Sequence, residues 1–376
     1  MPLLSVLIVN YNTADLTRDC VTSLRAQQLS HIDGTPAELE IIVVDNASRP
    51  EDRAQLHDLD ATVLFCDDNR GYGAALNLAS GHARGEFLLF SNSDTWYFPN
   101  ALQTLIATWV SFPHCGAVGP RLWWDRAREF LLPPSDPVTL TTRVQATMAQ
   151  VWSWWGKQWQ ARWLRSAVQY WHSREPLEQM MLSGACILTH RDVVAKCGGF
   201  DERFALYYED TDWCRRVRQH GYTLHYVPTA EVAHLYNQSA RQEQVTAQRK
   251  FVESEVRYFH KHYGSRRWQL IFALESAMGT RFAAPATLGE YQDLGSLTEP
   301  PSFSHATMET GAYLFLVSPV SSCTPAVAHF ASHPQLSLSP VVWRQLGDGE
   351  FFARLVSLPD LRVLRQWRWE KRPGIP

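Results

Sequence analysis

A chain of 376 residues has room for one large domain and a smaller one. Its 45% hydrophobic and 19% charged residues are those of an ordinary folded protein, which excludes a disordered or collagen-like chain. A formal net charge of -3 gives no general attraction for nucleic acid, and seven scattered cysteines without metal-type spacing favour a reducing compartment over a disulfide framework.

Residues 1–10 run straight into an apolar strand with no basic leader, and no run of 18 apolar residues occurs, so a cytoplasmic protein is expected. Ser5–Asn10 is that strand, ending at Asn10-Tyr11-Asn12, and Asp15 to Gln28 has helical spacing. Glu40–Val44 is a second apolar run, stopping at Asp45-Asn46-Ala47-Ser48. Thr62–Cys66 is a third, followed by Asn69-Arg70-Gly71-Tyr72-Gly73 and a helix from Ala74. Glu86–Phe90 is a fourth, ending in Ser91-Asn92-Ser93-Asp94, with a helix over Pro99–Val110. Short apolar strands alternating with helices predict an α/β fold on an open parallel sheet covered on both faces. The polar strand ends should then line one crevice.

Gly71-Tyr72-Gly73 lacks the third glycine of a dinucleotide fingerprint and is set apart from its strand by Asp67–Arg70, so that reading is rejected. Asp94 can supply the carboxylate oxygen that a hard divalent cation needs. SNSDT ahead of a helix is equally a capping signal.

Eight of the 15 tryptophans fall between Trp123 and Trp171. Trp152, Trp155, Trp159 and Trp163 form a helical stripe accompanied by Lys157, Arg162 and Arg165. Core packing, an aromatic acceptor platform and an interfacial helix all fit that pattern. Met181–Leu188 reads as a strand with a small-residue entry. Gly198-Gly199 then opens a stretch in which Glu209, Asp210 and Asp212 lie at the start of a helix. One acid there is explained as a partner of the helix dipole, whereas three beside an aromatic run suit a site that takes up a proton. Thr223–Val227 reads as a strand before Pro228, His234 sits at a strand edge, and Arg241–His262 is an amphipathic helix expected on the outside.

The ordered motifs SVLIVNYN, IIVVDNAS, NRGYGAALN, SNSD, LSGA and GGFDERFALYYEDTDWCRR, then a histidine with a following serine, resemble glycosyltransferase family 2, and most closely its rhamnosyltransferase-like members. The resemblance spans roughly residues 4–262. It implies a GT-A fold (Rossmann-like), an inverting mechanism, a nucleotide-sugar donor (dTDP-, UDP- or GDP-linked) and Mg2+ or Mn2+. Carried over by motif, Tyr11, Asn12 and Asp45 would contact the nucleotide, and Asn69, Gly71 and Asn77 would shape the donor pocket. Asp94 would bind the metal from the last position of the Asp-x-Asp signature, whose first position is Asn92 here, and His234 would complete the metal site. Asp210 would be the catalytic base, with Glu209 and Asp212 as helpers.

The resemblance further implies a saccharide or lipid-linked acceptor in cell-surface polysaccharide assembly, with a non-catalytic nucleotide- or sugar-binding protein as the alternative. The expected organisation is a catalytic domain over 1–265 with a Trp-rich acceptor-side insertion at 121–180, a helix and linker over 266–304, and a small β-sandwich-like module over 305–376. In that module Ala312–Val317, Pro340–Arg344, Glu350–Val356 and Leu361–Trp369 read as strands. Peripheral membrane contact and a homodimer stay open.

Overall fold

The computed structural model describes residues 2–31, 33–235, 244–278, 290–304, 311–333 and 335–373, with the side chains of 244–247 left aside. Ser239 and the start of the expected Arg241–His262 helix lie outside the described residues, as does 284–289 of the expected linker. The chain forms two compact units. The first comprises Met1–Trp123, Ser135–Pro137 and Ser173–Gly264, and the second Trp124–Pro134, Val138–His172 and Ser265–Pro376.

In the first unit, Leu4–Asn10 (β1), Leu39–Asp45 (β2), Thr62–Phe65 (β3) and Phe87–Asn92 (β4) run parallel in the order β3-β2-β1-β4. Every residue of β1 is buried, as its unbroken apolar run requires for a strand covered on both faces. Past β4 the sheet becomes mixed, so the parallel sheet expected from the sequence is only half of it. Thr95–Tyr97 (β5), Cys115–Trp123 (β6), Leu177–Gln179 (β7), Cys186–His190 (β8) and Thr223–His234 (β9) complete nine strands. β8 lies antiparallel between β4 and β6, β6 is parallel to β9, and β5 and β7 pair antiparallel with β9.

Two departures from the expected elements bear on the site. The strand that begins at Thr223 does not stop before Pro228 but continues to His234, because the proline falls in a bulge between paired residues Val227 and Glu231. SNSD leads into β5 and not directly into a helix, so the capping reading of Asp94 falls away. The reversed direction of β8 also has a consequence. Its entry, Ser183-Gly184-Ala185, lands beside the carboxyl end of β4, where the Asn92 amide donates to the Ala185 carbonyl at 3.0 Å.

The core of this unit lies on the sheet beneath the helices Tyr72–His82 and Glu209–Gln219. The first presents Gly73, Ala74, Ala75 and Ala79, small enough for close approach, and the second inserts fully buried Trp213 against Phe90 and Phe200.

The second unit holds a five-stranded sheet, in order Gln292–Leu297 (β10), Val363–Lys371 (β16), Gly349–Ser357 (β15), Tyr313–Ser318 (β12) and Val327–Ala331 (β13). A two-stranded ribbon, Ser302–Phe303 (β11) with Leu336–Ser337 (β14), accompanies it. Helices Leu140–Val151, Ser153–His172 and Ser265–Ala277 belong to the same unit. The Trp-rich segment therefore groups with the C-terminal residues, and part of the stretch read as a linker is strand. Pro340–Arg344 is helical, over Pro340–Gln345, because Ser339 accepts the Val342 amide as an N-cap and proline suits the first helical position. Among the described residues no helix is long and apolar enough to cross a membrane.

Trp213→Ala should lower the stability of the first unit by about 3–5 kcal/mol, read as a lower urea midpoint. An unchanged midpoint would contradict the packing described for this helix.

Candidate functional site

The carboxyl ends of β1 and β2 are joined by a buried polar network. Asn10 donates from Nδ2 to Asp45 at 2.9 Å, to Ser48 at 3.0 Å and to Asp52 at 2.8 Å, while its Oδ1 accepts from Thr17 at 2.8 Å. Asp45 is fully buried and pairs with Arg53 at 3.3 Å. Asn12 takes a left-handed backbone (φ 56°), with its amide on Ser48 Oγ at 2.9 Å and its Oδ1 accepting from the Arg49 amide at 2.9 Å. This shapes the turn carrying half-buried Tyr11.

The next loop is tied to the first by an amide pair, in which Asn46 donates to Asn69 Oδ1 at 3.1 Å and accepts from the Arg70 amide at 2.9 Å. Gly71, at φ 87°, also lies so near the acidic loop that a Cβ would stand 2.7 Å from the Ala205 carbonyl. Asn77 turns away from this end. Its amide clamps both backbone groups of Phe200 at 2.8 Å, so it braces the acidic loop.

At the end of β4, three expected residues meet. Asp94 Oδ1 lies 3.2 Å from His234 Nε2, and the Asn92 side-chain amide lies 3.1 Å from that nitrogen. The pairing of Thr95 with His234 in β5 and β9 brings them together. Among the described residues no group of three or more His, Cys, Asp or Glu gathers as a metal cage. One carboxylate and one imidazole still fit Mg2+ or Mn2+, since such ions often take one or two protein ligands and complete their shell with phosphate and water.

Tyr72 links this end to the acids. Its hydroxyl donates to Asn92 Oδ1 at 2.6 Å and lies 3.3 Å from the Gly184 carbonyl. Burial and the neighbouring charges of Glu209, Asp210 and Asp94 push its hydroxyl well above the ordinary phenol range, so it stays a donor. From the other side of the same glycine, the Gly184 amide donates to Asp210 Oδ2 at 2.9 Å, and Thr211 donates to Oδ1 from its amide at 2.6 Å. A Cβ at Gly184 would stand 2.8 Å from Asp210 Oδ2, so only glycine permits this approach.

Glu209 and Asp210 are adjacent and differ in environment. Glu209 is buried, its Oε2 has no hydrogen-bond partner among the described residues, and desolvation followed by the Asp210 charge raises its carboxyl to about 8. Asp210 is raised too, by burial, but the Gly184 and Thr211 donors counteract that. Glu209 therefore keeps its proton at neutral pH, while the donors aimed at half-buried Asp210 favour the charged form of that acid. Of the three acids, Asp210 is the one equipped to act as a base.

Asp212 faces the other way. It is fully buried, with Lys261 at 2.6 Å, His262 at 2.7 Å and Arg216 at 2.8 Å. Burial works to raise its carboxyl, and these three partners outweigh it and hold the group below the ordinary range. Two partners come from the helix Gln244–Tyr263, which was expected simply to pack outside. Ser254 also donates to the Leu206 carbonyl at 2.9 Å, Tyr208 to Glu255 at 3.3 Å, and Lys261 to Asp201 at 2.7 Å. The acidic loop is thus held by one face of this helix. Asn46, Tyr72, Gly184 and this helical clamp were missed as functional residues, although Ser254, Tyr258, Lys261 and His262 carry a helical spacing that could have marked one polar face.

Residues 5–197, just over half of the chain, match the family model described as Glycosyl transferase family 2. An N-acetylglucosaminyl-diphospho-decaprenol L-rhamnosyltransferase of Mycobacterium tuberculosis is 26% identical over 216 residues, 53% of this chain and 67% of that protein. The O-antigen biosynthesis protein RfbC of Myxococcus xanthus is 27% identical over 245 residues, 64% of this chain and 18% of that one. Among solved structures, GalNAc-T7 with UDP, GalNAc and Mn2+ superposes at a TM-score of 0.50 and 16% identity, covering 74% of this chain and 51% of the other. That likeness speaks for the fold alone, which is the GT-A fold.

The acid pair has a pH signature. With Glu209 raised to about 8, the folded chain keeps a proton that the unfolded chain gives up from about pH 4.5. Stability must fall as pH rises through that window, and the loss is complete above it. Glu209→Gln removes this term, so its melting temperature should gain on the parent's between about pH 5 and pH 9. Parallel melting curves across that range would contradict the assignment.

Proposed function

The chain belongs to glycosyl transferase family 2, and from that premise we propose that it moves a sugar, with inversion, from a nucleotide diphosphate to a hydroxyl of a saccharide or lipid-linked acceptor in cell-surface polysaccharide assembly. The observation that carries this reading is the Asp210 carboxylate, fixed by the Gly184 amide 2.9 Å away, one glycine from the strand end where Asn92, Asp94 and His234 converge.

Asp210 takes the proton of the acceptor hydroxyl. The freed oxygen attacks the anomeric carbon, and a new C–O bond forms as the bond to the diphosphate oxygen breaks, with the electron pair leaving on the nucleotide diphosphate. Glu209, holding its own proton, keeps a second negative charge away from that oxygen. Asn10, Asp45 and Ser48 fix the turn that bears Tyr11 for the nucleotide, and Asn46 with Asn69 fixes the loop beside it. Asp94 and His234 would hold Mg2+ or Mn2+, which when bound neutralises charge on the leaving diphosphate. The rhamnosyltransferase relative, named for a diphospho-decaprenol substrate, supports a lipid-linked acceptor and a deoxysugar donor. Nucleotide-linked donors are held in the cytoplasm, which is where this reaction would run.

Thermal shifts with UDP, GDP and dTDP, each with and without Mn2+, test donor binding. One nucleotide should stabilise the parent, and more so with metal, while Asp94→Ala should lose the metal-dependent part. Asp210→Asn should retain the nucleotide shift and lower transfer by about 10²–10⁴-fold. No stabilisation by any nucleotide, or full transfer by Asp210→Asn, would contradict the proposal.

A further inference from the structure

The helical part of the second unit has a charge pattern unlike the rest of the chain. From Val138 to His172 there is no acidic residue, while Arg143, Lys157, Arg162 and Arg165 are basic, in a protein whose net charge is -3. Lys157, Arg162 and Arg165 are exposed on the helix Ser153–His172. The neighbouring helix Ser265–Ala277 carries a single acid, Glu275, which is buried and engaged by Arg143 and Thr147 of the helix Leu140–Val151. Arg266 and Arg267, at its start, are exposed. Local charge on these helices is thus basic with no exposed acid.

The same helices expose large apolar side chains. Trp152 is 52% and Trp154 65% exposed at the corner between the first two helices, and Leu270 is 72% and Leu274 46% exposed on the third. Leu270, Leu274 and Ala277 follow one another at helical spacing opposite buried Trp268 and Glu275, with Arg266 one turn before them. That third helix therefore shows an apolar stripe to solvent with cationic residues at its head. Tryptophan, leucine and arginine in this combination match the boundary between headgroups and acyl chains.

We infer that these helices form a docking surface for an anionic lipid bilayer, lying on it without crossing it. A second copy of the chain is a poor occupant, because two such faces would oppose like charges. A soluble acidic partner satisfies the arginines and leaves Trp154 and Leu270 without an apolar environment. The inference deepens the acceptor reading, since a lipid-linked acceptor lies in such a surface, yet vesicle binding can be read with no sugar transfer at all.

The test is co-sedimentation of the full chain with phosphatidylcholine vesicles, with and without phosphatidylglycerol. The chain should pellet with the anionic vesicles and be released by salt. Each basic residue near such a surface contributes roughly fivefold to partitioning, so Arg266→Gln with Arg267→Gln should weaken binding by about thirtyfold. Trp152→Ser with Trp154→Ser should weaken it as well, with melting temperature and gel-filtration volume unchanged in both variants. Equal pelleting of parent and variants, or no pelleting with either vesicle, would overturn the inference. Binding to polyglutamate without binding to vesicles would overturn it in favour of an acidic protein partner, and an oligomeric state altered by the arginine variant would do so in favour of self-association.

Discussion

Asp210 can remain charged inside the site because a backbone amide donates to it at close range. Desolvation pushes both neighbouring acids toward the neutral form, and the Gly184 and Thr211 donors decide which of them keeps the charge. Without Gly184 at the entry to β8, only the Thr211 donors and its exposure would distinguish Asp210 from Glu209 electrostatically. The antiparallel course of β8 is what delivers that glycine to the end of β4, so sheet topology and acid strength are one constraint.

That arrangement is held under strain. Tyr207 and Tyr208 both take left-handed backbone conformations, at φ 65° and 67°, immediately before the helix that carries the acids. Such residues cost about 1–3 kcal/mol each. The cost is offset by packing of Tyr208 on Phe251 and Tyr258 and by the buried charges around Asp212. The acids therefore divide into the proposed base, Asp210, a proton-bearing neighbour, Glu209, and an anchor, Asp212. The anchor faces the clamp helix and not the crevice, so any catalytic effect of Asp212 runs through the position of the loop.

Much of this was legible in the sequence where the chemistry is local. Fully apolar strand runs identify β1 to β4, and the polar residues at their ends mark the crevice. The motif resemblance supplied the family and the grouping of Asp94, His234 and Asp210. What stayed hidden depends on long-range pairing. The reversed strand β8 and the passage of β9 through Pro228 are set by partners far away in the chain. The bracing role of Asn77 depends on Phe200, over a hundred residues on, and Asp212 reads as a site acid until Lys261 and His262 are seen to surround it. The tryptophan stripe was ambiguous for a related reason, since spacing cannot tell a buried Trp163 from an exposed Trp152.

The most direct test is a carboxyl-carbon NMR titration of Glu209 and Asp210 in the intact chain, with Glu209→Gln and Asp210→Asn used to assign the signals. The account predicts that Asp210 ionises first and that Glu209 keeps its proton to about pH 8. Ionisation of Glu209 in the ordinary carboxylate range, with Asp210 the later of the two, would reverse the roles and contradict it.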